Sequence, residues 1–259
     1  MRSLLLVLTL TLSPAMLALP LAHQSPGADK WSQASYVWDS EALLDPGQRQ
    51  AELEALRKAG MDKIYLGLKA AQIDDLVATR RQLEQLLQEA ASKQLQVSLL
   101  LGDPAWIEPQ GRHQLTDLLS KLKGLSFASL HLDLEVEQLG VPVPDQHLKN
   151  WLDTLRAAAK ASPWPVEISS HHRWFTETRP GGTCVPCALP KVGVHRVSLM
   201  IYTRNPHNSA RKAEQTQKDA EAAAVTRSVL AVQRPAVLLN ATAFAAGADD
   251  PLADADAPV

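Results

Sequence analysis

From residue 35 to 162 the chain repeats one pattern four times: a short apolar run, then a longer stretch with apolar residues at helical spacing. "SYVWDSE" (35–41) precedes "QRQAELEALRKAG" (48–60), where Leu53, Leu56 and Ala59 share one face and Gly60 is a stop signal. "DKIYLGL" (62–68) precedes "IDDLVATRRQLEQLLQEAASK" (73–93), whose Leu76, Leu83, Leu86 and Leu87 form one stripe. "LQVSLLLGDP" (95–104) precedes "RHQLTDLLSKLKG" (112–124), and "ASLHLDLEVE" (128–137) precedes "DQHLKNWLDTLRAAAKAS" (145–162). Strand-then-helix units in succession require parallel strands joined by crossovers. The fold class is therefore α/β. An open doubly wound sheet that binds nucleotides would want a Gly-rich phosphate loop after the first strand, and none follows here. The expectation is a (β/α)8 TIM-type barrel.

The pattern loosens further on. "PVEISSHH" (165–172) and "HRVSLMIYT" (195–203) read as strands five and six, with a long Pro- and Gly-rich loop between them. "ARKAEQTQKDAEAAAVTRSVLAV" (210–232) reads as a helix leading to "PAVLLNA" (235–241) as strand seven, and an eighth strand would have to come from "TAFAAG" (242–247). The barrel span, 35–245, is also short of the roughly 250 residues usual for this architecture. It is expected to be incomplete or irregular in its last third.

The chain's ends read differently. Residues 1–22, "MRSLLLVLTLTLSPAMLALPLA", combine Arg2, a leucine-rich run and the small residues Ala18 and Ala22, the pattern of a cleaved secretory signal. Pro14 interrupts the run, and a membrane span needs roughly 20 unbroken apolar residues, so no stable anchor is expected after cleavage. A polar linker (23–34) and a tail (246–259) without strand propensity or apolar periodicity flank the barrel. The expected location is secreted or periplasmic in a bacterium. A net charge of −2 without any Lys/Arg cluster leaves no electrostatic footprint for nucleic acid. Cys184 and Cys187, both in "GGTCVPCALP", are the whole cysteine complement. In an exported chain they are expected to pair as a disulfide. A zinc site would need further ligands, and Pro186 and Pro190 argue against a redox pair opening a helix.

The fourth unit carries the chemistry. His131, Asp133, Glu135 and Glu137 alternate with Leu130, Leu132, Leu134 and Val136, so in a strand the polar four share one face. A half-solvated antiparallel strand gives the same alternation. In a parallel barrel the leucines pack under helices and the polar four point inward, the later ones nearest the carboxyl-terminal mouth where active sites lie. Asp133 and Glu135 together allow one carboxyl to stay charged while the other stays protonated, as a general acid requires. Trp38, Trp106 and Trp174 fall near predicted strand ends on that side, where sugar rings stack on aromatic faces; single core anchoring is the plainer role of each. Asp39, Glu41 and Asp103 share the rim, and His171 and His172 close strand five. The histidines together with His131, Asp133 and Glu135 also fit a metal-dependent hydrolase or deacetylase, although the spacing is not diagnostic.

"LHLDLEVE", with Asp-x-Glu at the end of the fourth strand, resembles the D-x-x-D-x-D-x-E signature of glycoside hydrolase family 18, the chitinase-like barrels, and "SLMIYT" resembles their Met-x-Tyr-Asp. The resemblance implies Glu135 as general acid on the glycosidic oxygen, Asp133 orienting a substrate acetamido group, and Tyr202 holding that group's carbonyl. It also implies that the substrate's own N-acetyl oxygen acts as nucleophile, with no cofactor. The signature is degenerate: its first acidic position falls at Ala128 to Ser129, His131 stands in place of the middle Asp, and Thr203 follows Tyr202. Trp38, Asp39, Asp103, Trp106, Glu137, His171 and Trp174 are the expected substrate-binding residues, and a polysaccharide or oligosaccharide the expected partner. The expected function is a glycoside hydrolase-like barrel acting on an extracellular or cell-envelope polysaccharide. The alternative of another class is a non-catalytic carbohydrate-binding or polysaccharide-assembly protein.

Overall fold

In the computed structural model each strand pairs with the next one in sequence. β1 (Ala34–Val37), β2 (Lys63–Gly67), β3 (Gln96–Leu101), β4 (Leu130–Leu132), β5 (Val166–His171), β6 (Val194–Met200) and β7 (Leu230–Val232) form one sheet in that order, and every pairing is parallel. The structure describes residues 32–176 and 182–201, with 211, 215 and 230–232. The antiparallel explanation of the 130–137 alternation is thereby set aside.

Helices fill the connections. α1 (Glu41–Leu44) and α2 (Arg49–Lys58) follow β1; α3 (Ala70–Asp74) and α4 (Leu76–Ser92) follow β2. α5 (Arg112–Leu122) follows β3, α6 (Asp145–Ala161) follows β4, and two single turns, α7 (Arg173–Thr176) and α8 (Val185–Ala188), lie between β5 and β6. The helix expected over 73–93 is divided at Asp75, whose side chain accepts from the Ala78 N–H and caps α4. Leu83, Leu86, Leu115, Leu119, Leu148 and Leu155 on these helices are fully buried against Ile64, Leu66, Leu99, Leu130, Leu132, Val197 and Leu199 on the sheet's outer face. The 3.6-residue and 2-residue periods read from sequence thus meet in one apolar layer.

The sheet is strongly curled. Adjacent strands run about 4.8 Å apart, so β2 and β5 would lie about 14 Å apart on a flat sheet, too far for side chains perpendicular to it to touch. Yet the Tyr65 hydroxyl of β2 donates to Glu167 Oε2 of β5 over 3.1 Å. Tyr36 Oη of β1 stands 3.2 Å from His131 Nε2 of β4. The inner face is therefore concave, and the architecture is an incomplete α/β barrel.

Two elements differ from expectation. β4 ends at Leu132, and Val136–Leu139 is a 3-10 turn rather than the continuation of the strand to residue 137. Beyond Asp133, whose N–H still bonds the Leu101 carbonyl, β3 has already ended and supplies no further ladder partner. The helix expected over 210–232 does not run to its end, because Leu230–Val232 pair with Val197–Leu199 as β7. An exposed edge of β6 has backbone groups to satisfy, and this apolar triplet serves it. The strand expected at 235–241, the eighth strand, the signal segment and the tail lie outside the described residues.

Candidate functional site at the carboxyl ends of the strands

The concave face is polar from its floor upward. At the amino ends of the strands, Lys63 Nζ donates to both carboxylate oxygens of Glu167, at 2.9 and 2.8 Å, and to Ser129 Oγ at 3.3 Å. The ammonium also lies 4.6 Å from the Tyr65 ring centroid. Burial pushes the Glu167 carboxyl upward, but His131 and Lys63 more than offset it and hold the pKa at about 2. Burial pulls Lys63 below its ordinary value against the raising pull of Glu167. The Tyr65 hydroxyl is pushed up by burial and by the Glu167 charge.

One layer higher, His131 is fully buried. Its Nε2 lies 2.9 Å from Ser169 Oγ and 3.2 Å from Tyr36 Oη, while Nδ1 is 3.8 Å from Glu167 Oε2, beyond hydrogen-bond reach. Burial holds His131 below its ordinary pKa, which keeps the ring neutral at pH 7.

Asp133 stands above His131, one residue past the end of β4. Its Oδ1 is sealed from solvent and has no hydrogen-bond partner among the described residues. Burial raises its pKa, outweighing the opposing pull of His131 and Ser169. Glycine at 102 makes this approach possible: a Cβ there would lie 2.6 Å from the Asp133 carbonyl oxygen and 3.4 Å from both Asp133 Cβ and Trp38 Cη2. Gly67 plays the same part for the Trp38 backbone, which a Cβ would meet at 3.1 Å. Two glycines at strand ends thus let Trp38 lean over the mouth beside Asp133, with its ring 40% exposed. Glu135 follows Asp133 at the mouth and is half-buried.

The other expected site residues divide. Glu137 accepts from Trp174 Nε1, so these two brace the loop after β4 against α7. Asp39 is tied to Lys69 Nζ at 3.0 Å and accepts from the Glu41 N–H, contacts that hold its pKa low. Asp103 caps the 3-10 turn Pro104–Trp106 by accepting from the Ala105 N–H. Trp106 is 7% exposed inside the apolar core and offers no face to a sugar, a correction to its expected stacking role. It does follow β3, but the turn capped by Asp103 carries the side chain into the core. His171 stacks on His172 with ring centroids 4.5 Å apart, and its Nδ1 accepts from the Arg173 N–H. Tyr202 lies outside the described residues. Among the described residues no three His, Cys, Asp or Glu side chains gather as a metal site, so the set that the alternative of a metal-dependent hydrolase would need does not assemble there.

Cys184 and Cys187 form the expected disulfide. Contrary to expectation Cys184 does precede a helical turn, α8, because Pro186 falls in the first turn, where a missing N–H costs nothing. Lys63, Tyr65, Glu167 and Ser169 face inward as well, although they are not among the expected site residues. Their signal was present, since "DKIYLG" and "VEISSH" alternate polar with apolar residues as 130–137 does.

No family model matches the sequence, and no curated protein is significantly similar to it. Solved structures do resemble the fold. The GH18 chitinase from Cycas revoluta, solved in complex with (GlcNAc)3, superposes with a TM-score of 0.51 at 10% identity, over 78% of this chain and 67% of that one. The shared feature is the α/β barrel fold. The chitinase from Chromobacterium violaceum gives a TM-score of 0.48 at 10% identity over 77% of this chain and 66% of its own. D-psicose 3-epimerase from Clostridium cellulolyticum gives 0.49 at 12% identity over 86% and 94%. The chain spans little more than half the length of some other matching structures, 54% and 58%.

Proposed function

We propose that this is an exported barrel of the glycoside hydrolase type that acts on an extracellular or cell-envelope polysaccharide at the carboxyl ends of its strands. The observation that carries the reading is the juxtaposition of Trp38 and Asp133, both within 3.4 Å of one point above Gly102. An exposed aromatic face beside a carboxyl whose pKa is raised by burial suits an uncharged, hydroxyl-rich ring: the indole stacks on the sugar, and the carboxyl hydrogen-bonds its polar groups. In this reading Glu135 protonates the glycosidic oxygen, Asp133 orients the acetamido group, and Tyr202 holds that group's carbonyl. The substrate's own acetamido oxygen attacks the anomeric carbon, which removes the need for a second catalytic carboxylate.

A second reading, a barrel that binds polysaccharide without cleaving it, is favoured by one observation. His131, at the middle acidic position of the signature, is buried and engaged by Tyr36 and Ser169, so the group directly beneath Asp133 is an imidazole instead of an acid.

The test is release of reducing ends from chitin oligomers and bacterial exopolysaccharides by the wild type and Glu135→Gln, with binding measured for both and for Trp38→Ala. Release that Glu135→Gln abolishes while binding persists supports the hydrolase. Binding that Trp38→Ala weakens, without release by any form, supports the second reading. Neither release nor binding overturns both.

A further inference from the structure

The disulfide Cys184–Cys187 does not have the setting of a structural bridge. It joins residues three apart in sequence, so it removes little entropy from the unfolded chain. Both cysteines are exposed, whereas bridges that staple a core are shielded from thiols. The segment around them is held without it. Thr183 donates its N–H and hydroxyl to Asp145 Oδ1, at 3.0 and 2.8 Å, tying the segment to the start of α6. Val185, Leu189 and Val192 are buried in the core, and the Ala188 N–H bonds the Cys184 carbonyl at 3.1 Å. None of these contacts involves either sulfur.

We propose that Cys184–Cys187 is a thiol–disulfide exchange site whose partner is a dithiol. A thiolate of that dithiol attacks one exposed Sγ, the S–S bond breaks, and the leaving cysteine sulfur takes up a proton. The second thiol of the donor then attacks the mixed disulfide and closes the donor's own disulfide, releasing the second cysteine as a thiol. Two electrons and two protons pass from the dithiol to the chain, and the reverse sequence reoxidises it. The buried Val185 and the Thr183–Asp145 anchor keep the two sulfurs neighbours in the reduced state, so the bridge re-forms without a conformational search.

The experiment treats the full chain with dithiothreitol in stepped ratios of its reduced and oxidised forms, quenches in acid, and labels free thiols with a maleimide of large mass. Circular dichroism is followed in parallel. The expected result is reversible labelling of both cysteines in the folded protein, with an unchanged spectrum. Cys184→Ser and Cys187→Ser, incubated with oxidised glutathione, then each form a mixed disulfide, visible as an added mass on the intact chain, and release one reduced glutathione. Labelling that appears only once the spectrum is lost, in denaturant or heat, identifies a structural bridge and overturns the proposal. So does a folded wild type that stays unlabelled at every ratio.

Discussion

Lys63 Nζ and Glu167 Oε2 meet at 2.8 Å across a sheet in which two whole strands, β3 and β4, lie between their own. Both side chains are only 6% exposed, so each charge depends on the other. A buried pair of this kind adds little net stability over an apolar pair of the same shape, but losing one member strands a charge in the interior. It ties β2 to β5 across the concave face.

Glu167→Gln and Lys63→Met are each expected to destabilise the chain by about 3–5 kcal/mol. The double variant Lys63→Met/Glu167→Gln is expected to recover most of that loss. Urea denaturation of the four proteins measures the coupling; additive losses would mean the two groups do not act as a pair.

Acid is expected to weaken the fold in two stages. His131 has its pKa lowered by burial, so the unfolded chain binds a proton near pH 6.5 that the folded chain refuses, and stability falls as the pH drops below that value. The Glu167 carboxyl is held at about 2 when folded against an ordinary value of about 4.5, so its contribution is full above 4.5 and disappears as the pH falls toward 2. Urea midpoints from pH 8 to 3 test both stages, and His131→Gln should remove the upper one.

Asp133→Asn should leave the urea midpoint at pH 7 unchanged or raised, because an amide avoids the cost of burying a charge. It should at the same time remove polysaccharide turnover or binding. A stability loss as large as that of Glu167→Gln would show Asp133 to be a structural group instead.

Gly102→Ala places a methyl 2.6 Å from the Asp133 carbonyl oxygen, a contact that backbone on both sides must relieve. The expected cost is about 1–3 kcal/mol, with a weakened site because Trp38 and Asp133 both shift. Trp38→Ala should change stability by no more than about 0.5 kcal/mol, since the ring is at the surface, while reducing oligosaccharide affinity roughly tenfold. Thermal melts and isothermal titration with chitin oligomers separate the two effects.

The parallel layout was legible because it depends on periodicity, and 3.6- and 2-residue patterns survive in any sequence whose leucines must face one layer. The inward direction of His131 and Asp133 followed from the same pattern. What escaped was set by neighbours. The side-chain direction of Trp106 depends on a turn capped by Asp103, and the strand character of Leu230–Val232 depends on an edge of β6 waiting to be paired. Lys63 and Glu167 are 104 residues apart, and nothing local marks them as partners, although each alternates as an inward-facing residue should.

The strictly sequential sheet, β1 through β7, has a consequence in time as well as in space. Each strand needs only the one made before it, so a chain emerging from its amino end can add strands one by one without waiting for a distant partner. Contacts across the concave face are the exception: the Lys63 ammonium enters the nascent sheet with β2 and meets its carboxylate only when β5 arrives. Until then the floor of the barrel is unneutralised and must stay open to water. The docking of β5 is thus the event that neutralises the floor of the concave face.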